Sequence, residues 1–356
     1  MKYLICFFTT LILFSCSIEN KIEENLENLN LETYFPDNNT DNWDAISLNE
    51  LNWNEAELQP LLNYLDEKNT KGFIILYDGR IVVENYFNNH TASTNWYWAS
   101  AGKTLTATVA GIANDNNLIS LDEKVSTYLN QNWTSIPIDK ENLISCENLL
   151  NMTSGLDDSL GDSISADNLK YIADANNRWA YHNVYLKMQD VIASASKTTF
   201  KSYFENNLKN KIGMSGSWIK LNNLNIYWST TRSMARFGLL IQNKGKWNDT
   251  QIVSEDFIRK ATSTSQNINK SYGYLWWLNG KTSYQLPQSQ FQFSGSLIPN
   301  APNDLFCALG KNDQKIYIIP SKKLVIVRMG ASADASNFAL SNFDNNLWER
   351  INALIN

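Results

Sequence analysis

The hydrophobic pattern divides the chain into strand-like runs near its two ends and helical segments between them. β-rich runs at residues 72–77 and 80–86 are joined by Asp78-Gly79, which is typical of a two-residue hairpin turn. From about residue 117 to residue 243 most apolar positions recur at helical spacing, and residues 337–355 resemble a closing amphipathic helix. Further strand-like runs occur at residues 304–309, 315–319 and 324–328. We therefore predict an α/β (α+β) fold: one antiparallel sheet, flanked by helices, with an inserted all-helical lobe.

The N-terminus has the pattern of an export signal. A lysine at position 2 precedes about twelve mostly apolar residues, a run too short to span a membrane. The run ends at Leu13-Phe14-Ser15-Cys16, which resembles a bacterial lipoprotein cleavage box. We predict a signal peptide at 1–15, lipidation of Cys16, a polar tether at 16–43 and a domain at 44–356. The expected location is the cell envelope, as a membrane-anchored lipoprotein facing the periplasm or the cell surface; ordinary secretion is the alternative.

Charge and cysteine content narrow the choice of partners. The 356-residue chain has a formal net charge of −6, which argues against a nucleic-acid partner, since that would need a basic face. Cys146 and Cys307 lie far apart, with neither a CxxC motif nor a nearby histidine, so we expect no metal site. We expect these two cysteines to be buried free thiols, and a disulfide between them is the alternative. The oligomeric state stays open.

The candidate chemistry begins after the aromatic run 96–98, at Ser100-Ala101-Gly102-Lys103, where an Ala/Thr/Leu-rich helix is predicted to start. Residues three apart share a helix face, so Lys103 is expected beside Ser100. The positive end of the helix dipole disfavours a protonated lysine, and a serine next to a neutral amine is an activated nucleophile. Ser-x-x-Lys also occurs at Ser194 and Ser217, so this spacing alone does not establish a site.

Other segments follow Ser100 in a specific order. They lie at residues 111–122, 147–156, 178–183, 213–214, 235–240 and 272–277. In this order the chain, from about Trp43 to its end, resembles the serine β-lactamase and penicillin-binding-protein superfamily. It is most similar to the class C-like serine hydrolases, which include esterases and 6-aminohexanoate-dimer hydrolases. The resemblance implies a β-lactamase/transpeptidase-like fold with the helical lobe at about residues 117–243.

The resemblance also implies roles for individual residues. Ser100 would form the acyl-enzyme and Lys103 would accept its proton. Tyr181, in the element Tyr181-His182-Asn183, would assist as a base, and Asn183 would orient Lys103 or the substrate. His182 alternates with its two neighbours and should point away, so a Ser-His-Asp triad is not expected.

The third element of the superfamily departs from the usual pattern. Related enzymes carry Lys-Thr-Gly or His-x-Gly on a strand facing the nucleophile, and the matching residues here are Ala308-Leu309-Gly310. Gly310 would keep a close backbone approach, and the backbone N–H groups of Lys311 and Ser100 would form an oxyanion hole. The side chains that bind a substrate carboxylate are missing. Trp98 and Trp276 are expected either to line an apolar substrate pocket or to pack in the core.

We interpret the chain as a serine hydrolase of a small-molecule ester or amide, acting through an acyl-enzyme without metal or cofactor. The first alternative is a penicillin-binding-protein-like D,D-peptidase or a β-lactamase. The second is a non-catalytic binding protein on the same scaffold.

Overall fold

The computed structural model describes residues 32–334 and 340–356. The predicted signal peptide and the lipidation site at Cys16 lie outside these residues. Within them, every helix is too short or too polar to cross a membrane.

Strands and helices come in groups along the chain, with most helices in its middle and most strands towards its two ends. The strands are β1 (Thr70–Tyr77), β2 (Arg80–Tyr86), β3 (Trp96–Tyr97), β4 (Ser217–Leu221), β5 (Leu224–Ser229), β6 (Lys246–Trp247), β7 (Thr250–Gln251), β8 (Trp277–Leu278), β9 (Ser283–Tyr284), β10 (Phe293–Ser294), β11 (Phe306–Gly310), β12 (Gln314–Ile319) and β13 (Leu324–Gly330). The α-helices are α1 (Leu58–Glu67), α2 (Lys103–Asp115), α3 (Val125–Leu129), α4 (Ile138–Glu141), α5 (Cys146–Leu150), α6 (Lys187–Ser196), α7 (Phe200–Phe204), α8 (Thr231–Gln242), α9 (Glu255–Ala261) and α10 (Asn342–Ile355).

The main sheet has the strand order β2-β1-β13-β12-β11-β8. Its neighbouring strands are antiparallel, and β1 from the start of the chain pairs with β13 from its end, with Ile74 opposite Val327. The predicted pairing of the two ends is therefore confirmed. Nearly every side chain of β11, β12 and β13 is buried, because helices cover both faces of the sheet.

Each face of the sheet has its own helical layer. Helix α8 packs on β13, β12 and β1. This packing needs Gly238, since a Cβ there would lie 2.4 Å from Val325. Helix α10 covers the opposite face, where Asp344 accepts hydrogen bonds from Lys315 at 2.8 Å and from Tyr317 at 2.5 Å. The fully buried lysine also pairs with Asp313 at 3.1 Å, so its charge is compensated on two sides.

The inserted region is not all-helical, which corrects the prediction for residues 117–243. Strands β4 and β5 form a hairpin within it, and β3 adds to β5 to complete a three-stranded sheet. The hairpin alternates apolar and polar residues, but the helical pattern on both sides of it hid this short signal. Its position matters because β3 leads directly into Ser100.

The C-terminal part of the predicted tether packs on the domain. Tyr34 N–H donates to Asp78 O at 3.0 Å, and the indole of Trp43 donates to Gly79 O at 2.7 Å. The guanidinium of Arg236 donates to Pro36 O and lies over the ring of Trp43. The packed unit therefore begins about ten residues before position 44.

Candidate active site

A strained turn presents Ser100. Strand β3 pairs with β5, and the chain then reaches Ala99, whose φ of +48° is in the left-handed region that side chains other than glycine rarely adopt. A 3₁₀ turn over Ala99–Gly102 follows and runs straight into α2 at Lys103. The helix that was predicted to start at about Ser100 therefore begins at Lys103, and Ser100 lies in the 3₁₀ turn before it. Backbone strain of this kind persists where the surrounding structure enforces it, often at functional sites.

Lys103 is held against Ser100. Its Nζ donates to Ser100 Oγ at 2.8 Å, and only 4% of the residue is exposed. Burial lowers the pKa of Lys103 to about 7, and the charge of Asp162 opposes this shift in part. An amine with a pKa near neutrality can accept the serine proton at working pH.

Two tyrosines enclose the amine. Lys103 Nζ lies 4.7 Å from the ring centre of Tyr181 and 4.6 Å from that of Tyr185. Burial raises the pKa of Tyr181 to about 12, and a hydrogen bond with Ser100 opposes the increase. Tyr181 therefore keeps its proton at neutral pH, which makes it a better proton donor than base. The sequence analysis did not predict a place for Tyr185 in the site. Its spacing of four residues from Tyr181 is the signal that could have indicated it.

Asn183 lines the same cleft but makes no hydrogen bond to Lys103. Its amide donates to Asp162 Oδ1 at 2.7 Å. Asp162 was also not predicted, because it belongs to an irregular loop without a periodic pattern. His182 is 4% exposed, and neither ring nitrogen has a partner among the described residues. His182 nevertheless borders the same cleft as Ser100, so the expectation that it points away is not met. Burial lowers the pKa of His182, so its ring is neutral at pH 7, and it makes no hydrogen bond to Ser100.

Strand β11 approaches the turn that carries Ser100 closely at Gly310. A Cβ at this position would lie 2.4 Å from the carbonyl oxygen of Trp98 and 3.0 Å from the N atom of Ala101. Only glycine fits there without displacing the backbone that carries Ser100. Lys311, the next residue, is exposed and lines the cleft. The oxyanion role of the N–H groups of Ser100 and Lys311 stays a prediction.

Buried side chains fix the turn that carries Lys311. Gln314 donates to Asn312 O at 2.9 Å and to Gly330 O at 2.6 Å, while Arg328 donates to Asp313 O at 2.8 Å. Asn312 also donates through Nδ2 to the hydroxyl of Tyr97 at 2.6 Å. This last bond joins the turn to the strand that precedes Ser100. Both predicted oxyanion donors therefore belong to one rigid frame.

Ser100, Lys103, Tyr181, Asn183 and Lys311 all border one cleft of roughly 410 Å³. A sequence model of the β-lactamase family matches residues 67–342, well over half of the chain.

The chain belongs to the β-lactamase family.

Solved structures confirm the fold of this β-lactamase-family chain. A Bacillus anthracis protein provisionally assigned as a 6-aminohexanoate-dimer hydrolase is 18% identical, with a TM-score of 0.69 over 90% of this chain and 89% of its own. A Bacteroides dorei protein provisionally assigned as a β-lactamase is 15% identical, with a TM-score of 0.67 over 85% and 99%. The hydrolase EstCE1, described as having promiscuous acyltransferase activity, is 12% identical, with a TM-score of 0.63 over 85% and 98%. Family and fold together support a function of the serine-hydrolase type.

The remaining predicted residues lie in the core of this β-lactamase-family domain. Trp98 is fully buried, and its indole N–H donates to Ser229 Oγ at 2.7 Å. Trp276 is also fully buried and stacks on Phe237 at 6.1 Å. Their predicted contact with substrate is thus corrected, because these large rings fill space between the helices and the sheet. Tyr97, two residues before Ala99, lines the cleft instead.

Cys146 and Cys307 are free, buried thiols. Burial raises the pKa of both well above the ordinary value, so both are protonated and unreactive. Residues 32–334 and 340–356 contain no group of three or more His, Cys, Asp or Glu side chains arranged to hold a metal ion.

Proposed function

We propose that this protein cleaves an ester or amide substrate through an acyl-enzyme on Ser100. The observation that carries the proposal is the 2.8 Å hydrogen bond from Lys103 Nζ to Ser100 Oγ, made by a buried lysine with a pKa of about 7. A serine paired with a neutral amine has both the nucleophile and the base that acyl transfer requires.

The proposed steps use groups around the cleft. Ser100 Oγ attacks the substrate carbonyl carbon while Lys103 accepts the serine proton. The oxyanion that forms is bound by the N–H groups of Ser100 and Lys311, each contributing about 3 kcal/mol. Tyr181 donates its proton to the departing alcohol or amine and regains one from Lys103. A water molecule, activated by the same pair, then hydrolyses the acyl-enzyme.

The strand facing Ser100 favours substrates without a carboxylate next to the reacting carbonyl. Ala308 and Leu309 are 1% and 2% exposed, so neither presents a polar group to the cleft. This supports esters and amides over β-lactams and cell-wall peptides. Within the cleft, Lys311 favours the D,D-peptidase or β-lactamase alternative, since an exposed ammonium there can attract a carboxylate.

A labelling and substrate panel tests the proposal. A fluorophosphonate probe is expected to modify Ser100, and p-nitrophenyl esters are expected to turn over with a higher kcat/KM than any β-lactam. Labelling by a fluorescent penicillin without ester turnover would favour the peptidase alternative. No labelling of the folded protein by either probe would favour the non-catalytic alternative.

We further propose that Cys16 carries a lipid anchor that holds the hydrolase in the bacterial cell envelope. The Leu13-Phe14-Ser15-Cys16 sequence supports this. Cys16→Ser is expected to move the protein from the membrane fraction to the soluble fraction, because the acylated thiol is lost. Cys6→Ser, within the predicted signal peptide, is the matched control and should fractionate as wild type. Unchanged fractionation of Cys16→Ser would refute lipidation.

A further inference from the structure

One face of the β4–β5 hairpin carries an aliphatic strip made of Ile219, Leu221, Leu224 and Ile226. Ile219 lies opposite Ile226, and Leu221 lies opposite Leu224. Directly paired residues of antiparallel strands point to the same side of the sheet, as do residues two apart on one strand. The four aliphatic side chains therefore form one continuous strip.

The strip is the outward face of the hairpin. Residues of the other face, which alternate with it, pack on the helices: Asn225 donates to Gln189 at 2.9 Å, and Trp218 meets Phe204 edge-on at 5.6 Å. In the strip, Ile219 and Leu221 are 42% and 46% exposed. Grouped aliphatic side chains in contact with water mark a surface that binds an apolar ligand more often than a random surface does.

The strip is continuous with the active-site cleft. Leu224 and Ile226 line the cleft together with Ser100 and Tyr97. Tyr97 pairs with Trp228 on the same face of this sheet, at 5.4 Å between ring centres. At 3.3 Å per residue, the face that carries the strip extends about 13 Å along β5 from Trp228 to Leu224. An apolar path thus leads from the strand before the nucleophile to the tip of the hairpin.

We propose that this strip binds an aliphatic chain of the substrate, so that the preferred ester or amide carries an extended alkyl group. The inference rests on the proposed function and adds a substrate class to it. The ionisable Lys and Asp side chains that line the cleft all lie outside the strip: Lys103, Asp158, Asp162 and Lys311. The alkyl group therefore lies on the hairpin side of the reacting carbonyl.

Two ester series, used below their micelle concentrations, test the strip. Along p-nitrophenyl acyl esters from acetate to octanoate, kcat/KM is expected to rise about twofold per methylene, as for a half-buried chain. Alkyl acetates from ethyl to octyl form the second series. The series that shows the rise identifies whether the acyl or the alcohol part lies on the strip, and a flat response in both series overturns the inference.

The double variant Ile219→Thr, Leu221→Thr keeps β-forming residues but removes aliphatic surface. In the series that shows the rise, it is expected to lower the ratio of kcat/KM between the eight-carbon ester and the shortest ester by roughly five- to tenfold. Hydrolysis of the shortest ester, p-nitrophenyl acetate or ethyl acetate, should be unchanged. Lys220→Thr, on the opposite face of the same strand, is the matched control and should keep the wild-type ratio.

The possible failures are distinguishable. Normal hydrolysis of the shortest ester, with the same chain-length ratio in wild type and double variant, overturns the strip but keeps the proposed function. No ester hydrolysis and no labelling of Ser100 overturns both. Wild-type kinetics in the double variant, combined with loss of its co-sedimentation with phosphatidylglycerol vesicles, would identify the strip as a membrane contact instead and also overturn the inference.

Discussion

Replacing Ser100 with alanine is expected to lower kcat for the best ester substrate by roughly 10⁴-fold or more. The proposed reaction has no route to an acyl-enzyme without the Oγ atom, and only binding and the oxyanion donors remain. The fold should tolerate the change, because one hydroxyl in a half-buried position contributes about 1 kcal/mol. The thermal midpoint is therefore expected to shift by only about 2–4 °C. Steady-state kinetics and a thermal melt check the two parts.

The chain offers its own controls for this prediction. Ser194 and Ser217 are the other two residues followed by a lysine three positions later. Ser194 Oγ donates to Tyr128 O at 2.7 Å on the surface of the helical region, away from the cleft lining. Ser194→Ala and Ser217→Ala should keep wild-type kcat. Retained activity in Ser100→Ala, or loss in either control, would contradict the nucleophile assignment.

Local spacing predicted the contact between Ser100 and Lys103, and the ordered segments of the family resemblance separated this pair from the two other Ser-x-x-Lys matches. A serine and a lysine three residues apart on one helical turn meet whatever the rest of the fold does. Gly310 was located through a resemblance and explained by the structure, where a Cβ would collide with the carbonyl of Trp98. The pairing of β1 with β13 followed from strand-like runs at both ends of the chain.

What sequence reasoning missed depends on long-range packing. An aromatic residue close to Ser100 can face the cleft, as Tyr97 does, or the core, as Trp98 does. The sequence decides between the two only once the end of β3 is known. Trp276 is equally ambiguous until its contact with Phe237 is seen. Asp162 acts on Lys103 across 59 residues of chain, and a loop without periodicity gives no sign of that approach.

Replacing Lys103 with methionine is expected to lower kcat/KM about a thousandfold while making the protein more stable. The loss follows because a positioned general base contributes about 10²- to 10⁴-fold. The stability increases because burial lowers the pKa of Lys103 from 10.5 to about 7. The folded wild-type protein is therefore destabilised, either by a buried ammonium charge or by the free energy needed to deprotonate the lysine. An apolar side chain of similar length removes this destabilisation. Ester hydrolysis and urea unfolding at pH 6 measure the two effects, and the expected increase in the free energy of unfolding is about 1–3 kcal/mol.

The pH dependence separates this explanation from a general packing effect. Between about pH 7 and pH 10.5 the unfolded wild-type chain binds more protons at Lys103 than the folded chain does, so its free energy of unfolding rises with pH. The advantage of Lys103→Met should therefore be full below pH 7 and disappear as the pH approaches 10.5. Wild-type kcat/KM should rise through about pH 7, where Lys103 loses its proton and becomes a base. Lys220→Met, an exposed lysine on β4, should change neither profile. A stability gain independent of pH, or wild-type activity that falls as Lys103 deprotonates, would contradict a neutral lysine as the base.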